Sequence, residues 1–166
     1  MTALKTLIFT VLVPGTVAVL VPYRLVSSPT ARGTAAIGSF RYFGIVLIGI
    51  GVLIYLWCAW DFTFAGKGTP APIDPPKELV VRGLYGYVRN PIYVGVLSVL
   101  LGEAVVFEAR VLFEYAGLVF LAFFAWVLIY EEPALRRKFG TSYKQYCRTV
   151  PRWIPRARRS SARGRS

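Results

Sequence analysis

Four apolar runs constrain this chain more than any other feature: Leu4 to Pro22, Tyr42 to Trp60, Pro91 to Phe107 and Val111 to Tyr130. A helix needs about 20 such residues to cross the hydrocarbon of a bilayer, where the backbone must satisfy its own polar groups. In a chain of 166 residues with 55% hydrophobic and only 17% charged side chains, one small globule cannot hide all four runs. The expected fold is therefore all-α. It is a polytopic membrane helix bundle of about four transmembrane helices with a C-terminal interfacial amphipathic helix, forming one domain over residues 1–155. A soluble enzyme and a wholly disordered chain are excluded. In the first run Leu20-Val21-Pro22 is followed by Tyr23 and Arg24 rather than by a small-residue cleavage site, so the run is read as a mature span, not a signal peptide. Gly44, Gly49 and Gly51 fit a close helix approach, and fit the ordinary glycine content of membrane helices equally well.

The remaining charge is lopsided, with 20 Lys and Arg against 8 Asp and Glu, a net charge of +12. These residues crowd beside the apolar runs, as the excess of Lys and Arg in cytoplasmic loops requires, so no nucleic-acid partner is expected. With the N-terminus inside, sixteen of the 20 basic residues fall on the cytoplasmic side, and only Arg24, Arg32, Arg41 and Arg110 lie outside. Both termini are expected in the cytoplasm. From Pro133 to Val150, Leu135, Phe139, Tyr143, Tyr146 and Val150 recur at helical spacing among Arg136, Arg137, Lys138, Lys144 and Arg148. This pattern predicts an amphipathic helix at the interface, interrupted at Gly140. The segment 156–166 is almost wholly Arg, Ser, Ala and Gly, and is expected to be disordered and drawn to anionic lipid headgroups. The sequence has no histidine, and Cys58 and Cys147 lie in different segments, so no metal site is expected.

The third and fourth runs are separated only by Glu108 to Arg110 and must form an antiparallel hairpin, which makes their cytoplasmic ends neighbours. At one end, in Val88-Arg89-Asn90-Pro91-Ile92-Tyr93, Asn90 suits a helix cap and Pro91 the first turn. The free amides there and the planar fork of Arg89 suit a carboxylate or phosphate. At the other end Glu131 and Glu132 precede Pro133, which is expected to end the span; two acids at a helix C-terminus want a cation. The two ends would form one pocket with an anion-binding and a cation-binding half. The competing reading is that Arg136 and Arg137 neutralise the glutamates locally. The loop Leu79 to Tyr87, with Tyr85 and Tyr87 among glycines, suits close approach to a flat ligand, or carries ordinary interfacial tyrosines. Glu103 lies within the third run nearer its outer end, where snorkelling or a pair with Arg110 is expected.

These residues give the chain its resemblance. From Val80 to Pro155 it resembles the isoprenylcysteine carboxyl methyltransferase and phospholipid methyltransferase superfamily. The resemblance rests on Gly83-Leu84-Tyr85-Gly86-Tyr87-Val88-Arg89-Asn90-Pro91-Ile92-Tyr93-Val94-Gly95, on Glu131-Glu132-Pro133-Ala134-Leu135, on Phe139-Gly140-Thr141-Ser142-Tyr143-Lys144-Gln145-Tyr146 and on Val150-Pro151-Arg152. It implies an integral-membrane, S-adenosylmethionine-dependent methyltransferase acting on a lipidic or apolar acceptor. It further implies cofactor binding by Tyr85, Tyr87, Arg89, Asn90, Pro91, Tyr93, Gly95, Glu131 and Glu132, with Arg89 and Glu132 as catalytic residues. Adjacent helical residues point about 100° apart, and Glu132, at the turn before Pro133, is expected to be the closer partner of the cofactor's positive groups. The sequence departs from the pattern at two places. Asn90 stands where many relatives carry His, and Val127-Leu128-Ile129-Tyr130 lacks the arginine that isoprenylcysteine enzymes place before the glutamates. An acceptor other than prenylcysteine fits as readily. A membrane steroid-type reductase using NADPH would want more arginine and fewer acids at this place. For a non-enzymatic lipid-binding protein only the basic tail speaks.

Overall fold

The structure, a computed structural model, describes residues 8, 12–28, 38–64 and 79–155. Lys5, Arg32, Lys67, Lys77 and the basic segment 156–166 lie outside the described residues. Among those described, every regular element is helical. Helix α1 is Leu12–Val26 and contains a π turn over Thr16–Leu20. Helix α2 is Arg41–Phe64, entered through a 3-10 turn at Gly38–Phe40; α3 is Pro91–Val106, α4 is Arg110–Trp126 and α5 is Glu132–Thr149. Two continuous helices, Gly38–Asp61 and Arg110–Thr149, are long and apolar enough to cross a membrane, whereas Leu12–Val26 and Pro91–Val106 are apolar but shorter.

The closest packing joins α2 to α3, and glycines explain it. A Cβ on Gly44 would lie 2.6 Å from the Gly102 carbonyl oxygen, and one on Gly51 would lie 2.6 Å from that of Gly95. The pairs run in opposite senses along the two helices, so the backbones touch at two levels of an antiparallel crossing. Bilayer tails are as apolar as leucine, so such close van der Waals contact is what holds helices together there. Gly49 has no atom within 4 Å of its Cβ position and takes no part. Ala18, Tyr55, Val96, Leu100, Ala116 and Val119 form the buried centre between α1, α2, α3 and α4.

The hairpin between α3 and α4 forms as expected, turning at Glu108 with φ 52. The pair of Glu103 with Arg110 does not form. Arg110 pairs with Glu114 at 3.0 Å, one turn along its own helix, and Glu103 Oε2 is buried without a partner. Nor does Pro133 end the span. The π turn Val127–Glu131 runs straight into α5, with the Glu132 amide bonded to the Val127 carbonyl, and Pro133 falls in the first turn of α5. Widening the helix by one residue re-sets the hydrogen-bond register, so the missing proline N–H falls where a helix start tolerates it. Glu131 and Glu132 therefore sit inside a continuous helix rather than at a C-terminus. The amphipathic segment is helical over Glu132–Thr149 and breaks from helical geometry at Gly140, with φ 51 and ψ −119.

Candidate active site

Four stretches of chain meet at one end of the bundle: the loop before α3, the first turn of α3, the junction of α4 with α5, and the segment 150–154 that folds back after α5. Glu132 is the hub, only 5% exposed. Arg89 Nη1 donates to its Oε1 at 3.0 Å, Arg152 grips both oxygens at 2.7 and 3.1 Å, and Arg136 stands 3.6 Å away. The Arg89 amide donates to the Pro151 carbonyl at 2.8 Å, and Asn90 Nδ2 donates to the Arg152 carbonyl at 3.1 Å. These bonds strap the returning segment across the start of α3.

Asn90 stands at the N-cap position of α3 but its side chain makes no capping hydrogen bond, and its Nδ2 donates to the strap instead. Pro91 is fully buried at the first position of α3, as expected. The anion-binding and cation-binding halves of the expected pocket bind each other here through Arg89 and Glu132. Arg89 Nη1 also donates to Cys147 Sγ at 2.8 Å. Its Nε remains buried without an acceptor.

Glu131 differs from its neighbour. Its Oε2 accepts the Tyr93 hydroxyl at 2.7 Å, and no ion pair reaches it among the described residues. Tyr93 packs on Phe123 with ring centroids 4.7 Å apart and on Trp153 at 6.4 Å. The indole of Trp153 lies against Phe120 and Phe124, and its N–H is buried without a partner. Tyr93 also lines a cavity of about 410 Å³ with Val13, Val17, Val96, Phe123 and Trp126. This volume lies within the range of small-molecule sites, about 300–1,000 Å³, and the wall is apolar.

Tyr85 is buried beneath the loop and accepts the Tyr146 hydroxyl on its carbonyl at 2.7 Å. Burial pushes its own phenol well above the usual range, with Cys58 and Glu131 adding to the effect. Arg152 is raised above its ordinary value by its hydrogen bond to Glu132. The remaining predicted residues do not join the cluster. Tyr87 is 64% exposed, and Gly95 faces α2, where a Cβ would stand 2.9 Å from the Gly51 carbonyl oxygen. Sequence reasoning missed Arg152, Trp153 and Tyr146 as parts of the site. Val150-Pro151-Arg152 entered only as part of the resemblance, with no sign that the segment folds back.

Comparison with known proteins gives a consistent picture. The family model described as phospholipid methyltransferase matches residues 40–142. Protein-S-isoprenylcysteine O-methyltransferase of Schizosaccharomyces pombe is 41% identical over 77 residues, 46% of this chain and 33% of that protein. Protein-S-isoprenylcysteine O-methyltransferase B of Arabidopsis thaliana is 33% identical over 78 residues, 47% of this chain and 40% of that protein. The matched region thus spans well under half the length of these relatives. No solved structure matches the chain.

Proposed function

From the premise that this chain belongs to the phospholipid methyltransferase family, we propose that it is an integral-membrane methyltransferase that uses S-adenosylmethionine and acts on a lipidic or apolar acceptor. The observation that carries the reading is the junction of a buried charged cluster with an apolar cavity through one side chain, Tyr93. A charged donor and an apolar acceptor need such a junction. The relatives' names speak of an isoprenylcysteine, a lipidated group, and the cavity supports an apolar acceptor of some kind.

The residues present fit the donor. Arg89 Nε and Trp153 Nε1 are buried N–H groups lacking acceptors, and Arg89, Arg136 and Arg152 outnumber Glu131 and Glu132. Arg89 and the start of α3 would hold the donor's carboxylate. The charge of Glu132 is already met by arginines, so Glu131 would face the donor's positive groups, which reverses the preference drawn from sequence. Glu132 becomes the residue that orients Arg89 and the strap. When bound, the donor supplies an electrophilic methyl group on a sulfonium. The chain's task is then alignment and exclusion of water, for which histidine and metal are not needed. We place all four apolar helices in the bilayer and both termini in the cytoplasm.

Equilibrium binding of radiolabelled S-adenosylmethionine against NADPH to detergent-solubilised protein tests the reading. Saturable binding of the first, at low to middle micromolar concentration, is expected. Binding of NADPH alone would instead favour the reductase class.

A further inference from the structure

We propose that α1 is a hinged wall of the apolar cavity. Its Leu12 end swings about the stretch from Pro14 to Leu20 and admits an apolar ligand, while its Val26 end stays fixed to the bundle. The hinge rests on the fold alone; that the ligand is the acceptor's apolar chain rests on the methyltransferase reading.

The two ends of α1 are held differently. Toward Val26, Leu25 and Val26 pack on Ala104, Ala109 and Leu112, Pro22 is buried, and Ala18 lies in the centre of the bundle. The Val17 carbonyl accepts the Tyr115 hydroxyl at 3.0 Å, which pins the backbone there to α4. From Leu12 to Thr16 no residue is buried: Leu12, Val13 and Thr16 are exposed, and Pro14 and Gly15 half-buried. Yet Val13, Pro14 and Val17 form one wall of the cavity, with Tyr55 of α2, Val96 of α3 and Phe123 of α4 on the others. The cavity is thus closed on one side by the part of α1 that the bundle holds least, and segments with few buried contacts are those that open locally. Helix α1 also lies outside residues 40–142, so this wall is no part of the region that matches the family.

The helix is weakened where the loosely held part meets the pinned part. Pro14 has no N–H to donate and removes one backbone bond. Gly15 beside it offers the least side-chain resistance to bending. The Thr16 hydroxyl donates to the Leu12 carbonyl at 2.5 Å, in competition with the backbone donor, a contact that bends helices. The π turn over Thr16–Leu20 follows at once. That turn has a local cause, since Pro22 comes two residues after it, as Pro133 comes two residues after the π turn ahead of α5. Pro14, Gly15 and the Thr16 bond have no such cause. They put three consecutive weak positions just ahead of the carbonyl that Tyr115 pins, where a hinge for the cavity wall has to be.

The swing is measured by double electron–electron resonance in phosphatidylcholine nanodiscs, on Cys58→Ala, Cys147→Ala protein. One spin-label pair is placed at Leu12→Cys and Leu118→Cys, and a reference pair at Val19→Cys and Leu118→Cys, all three positions being exposed. The Leu12 distance distribution should be at least about twice as wide as the reference, and Gly15→Ala with Thr16→Val should narrow it toward the reference. Equal widths overturn the hinge. Should the cysteine-free protein fail to fold, hydrogen exchange of the parent protein decides: amides of residues 12–16 should exchange about tenfold or more faster than those of 21–26, and equal protection overturns the hinge. Passage is read by stopped flow with 1-dodecanol, as the fluorescence change that Trp126→Phe removes, because Trp126 lines the cavity. Gly15→Ala with Thr16→Val should slow binding and release by the same factor, about fivefold or more, and leave Kd within about twofold. Unchanged rates, a change in only one of them, or no saturable alcohol signal overturn the entry role. Binding of S-adenosylmethionine is measured on the same preparations; its absence would refute the methyltransferase reading while leaving the hinge in place.

Discussion

Replacing Glu132 by glutamine should cost far more stability than replacing Glu131, although the two are adjacent and the change is the same. Glu132 is 5% exposed and faces Arg89, whose side chain is 11% exposed, at 3.0 Å. Removing one member of a buried pair strands the other charge, at a cost of about 3–5 kcal/mol. Arg152 and Arg136, with side chains 30% and 56% exposed, keep access to water, and their lost pairing adds under about 1 kcal/mol each. A total near 4 kcal/mol is expected. At Glu131 the amide oxygen of glutamine can still accept the Tyr93 hydroxyl, and a charge without a cationic partner is removed, so the change should stay within about 1 kcal/mol. Unfolding of the purified proteins in mixed micelles, followed by circular dichroism against a denaturing detergent, measures both. Tryptic cleavage after Arg152 gives a second readout, because the strap loses its fork only in Glu132→Gln. Equal losses in the two variants, or a loss under about 1 kcal/mol at Glu132, would refute the assignment of Glu132 as the electrostatic hub.

Gly51→Leu or Gly102→Leu should abolish monodisperse expression, because a Cβ at either place would lie 2.6 Å from a backbone oxygen of the opposing helix, whereas Gly49→Ala and Gly117→Ala, with open space, should express normally by size-exclusion chromatography. Arg89→Lys should weaken donor binding about tenfold or more in calorimetry, since an ammonium cannot meet Glu132, as Arg89 Nη1 does, and also offer the second N–H that Nε leaves for a ligand. A single cysteine introduced in segment 156–166 of a Cys58→Ala, Cys147→Ala protein should be labelled by a membrane-impermeant maleimide only after cells are opened, and labelling of intact cells would contradict the inside placement of the C-terminus.

Much of the fold was legible because long apolar runs leave an uninterrupted trace: the runs 42–60, 91–107 and 111–130 match α2, α3 and α4 to within a few residues. The α3–α4 hairpin followed from three intervening residues, and Gly140 from its place in an amphipathic pattern. What failed were inferences about local rules that tertiary structure overrode. Pro133 reads as a stop, but a π turn ahead of it changes the register that the rule assumes. Asn90 reads as a cap, yet its amide has a partner 62 residues away. Arg89 and the glutamates were found by charge and position. That Arg89 faces Glu132, while Glu131 is left to Tyr93, depends on a difference of about 100° around one helix, which spacing alone does not fix. Arg152 and Trp153 were invisible as site residues, because a fold-back after α5 brings no periodic signal.

Ultraviolet cross-linking of radiolabelled S-adenosylmethionine to the purified protein, followed by peptide mapping, tests the central claim most directly. The label should appear on peptides containing residues 83–93 or 131–153 and should be removed by excess S-adenosylhomocysteine. Competable label confined to α1 or α2, or no competable label at millimolar ligand, would contradict a donor site between the start of α3 and the α4–α5 junction.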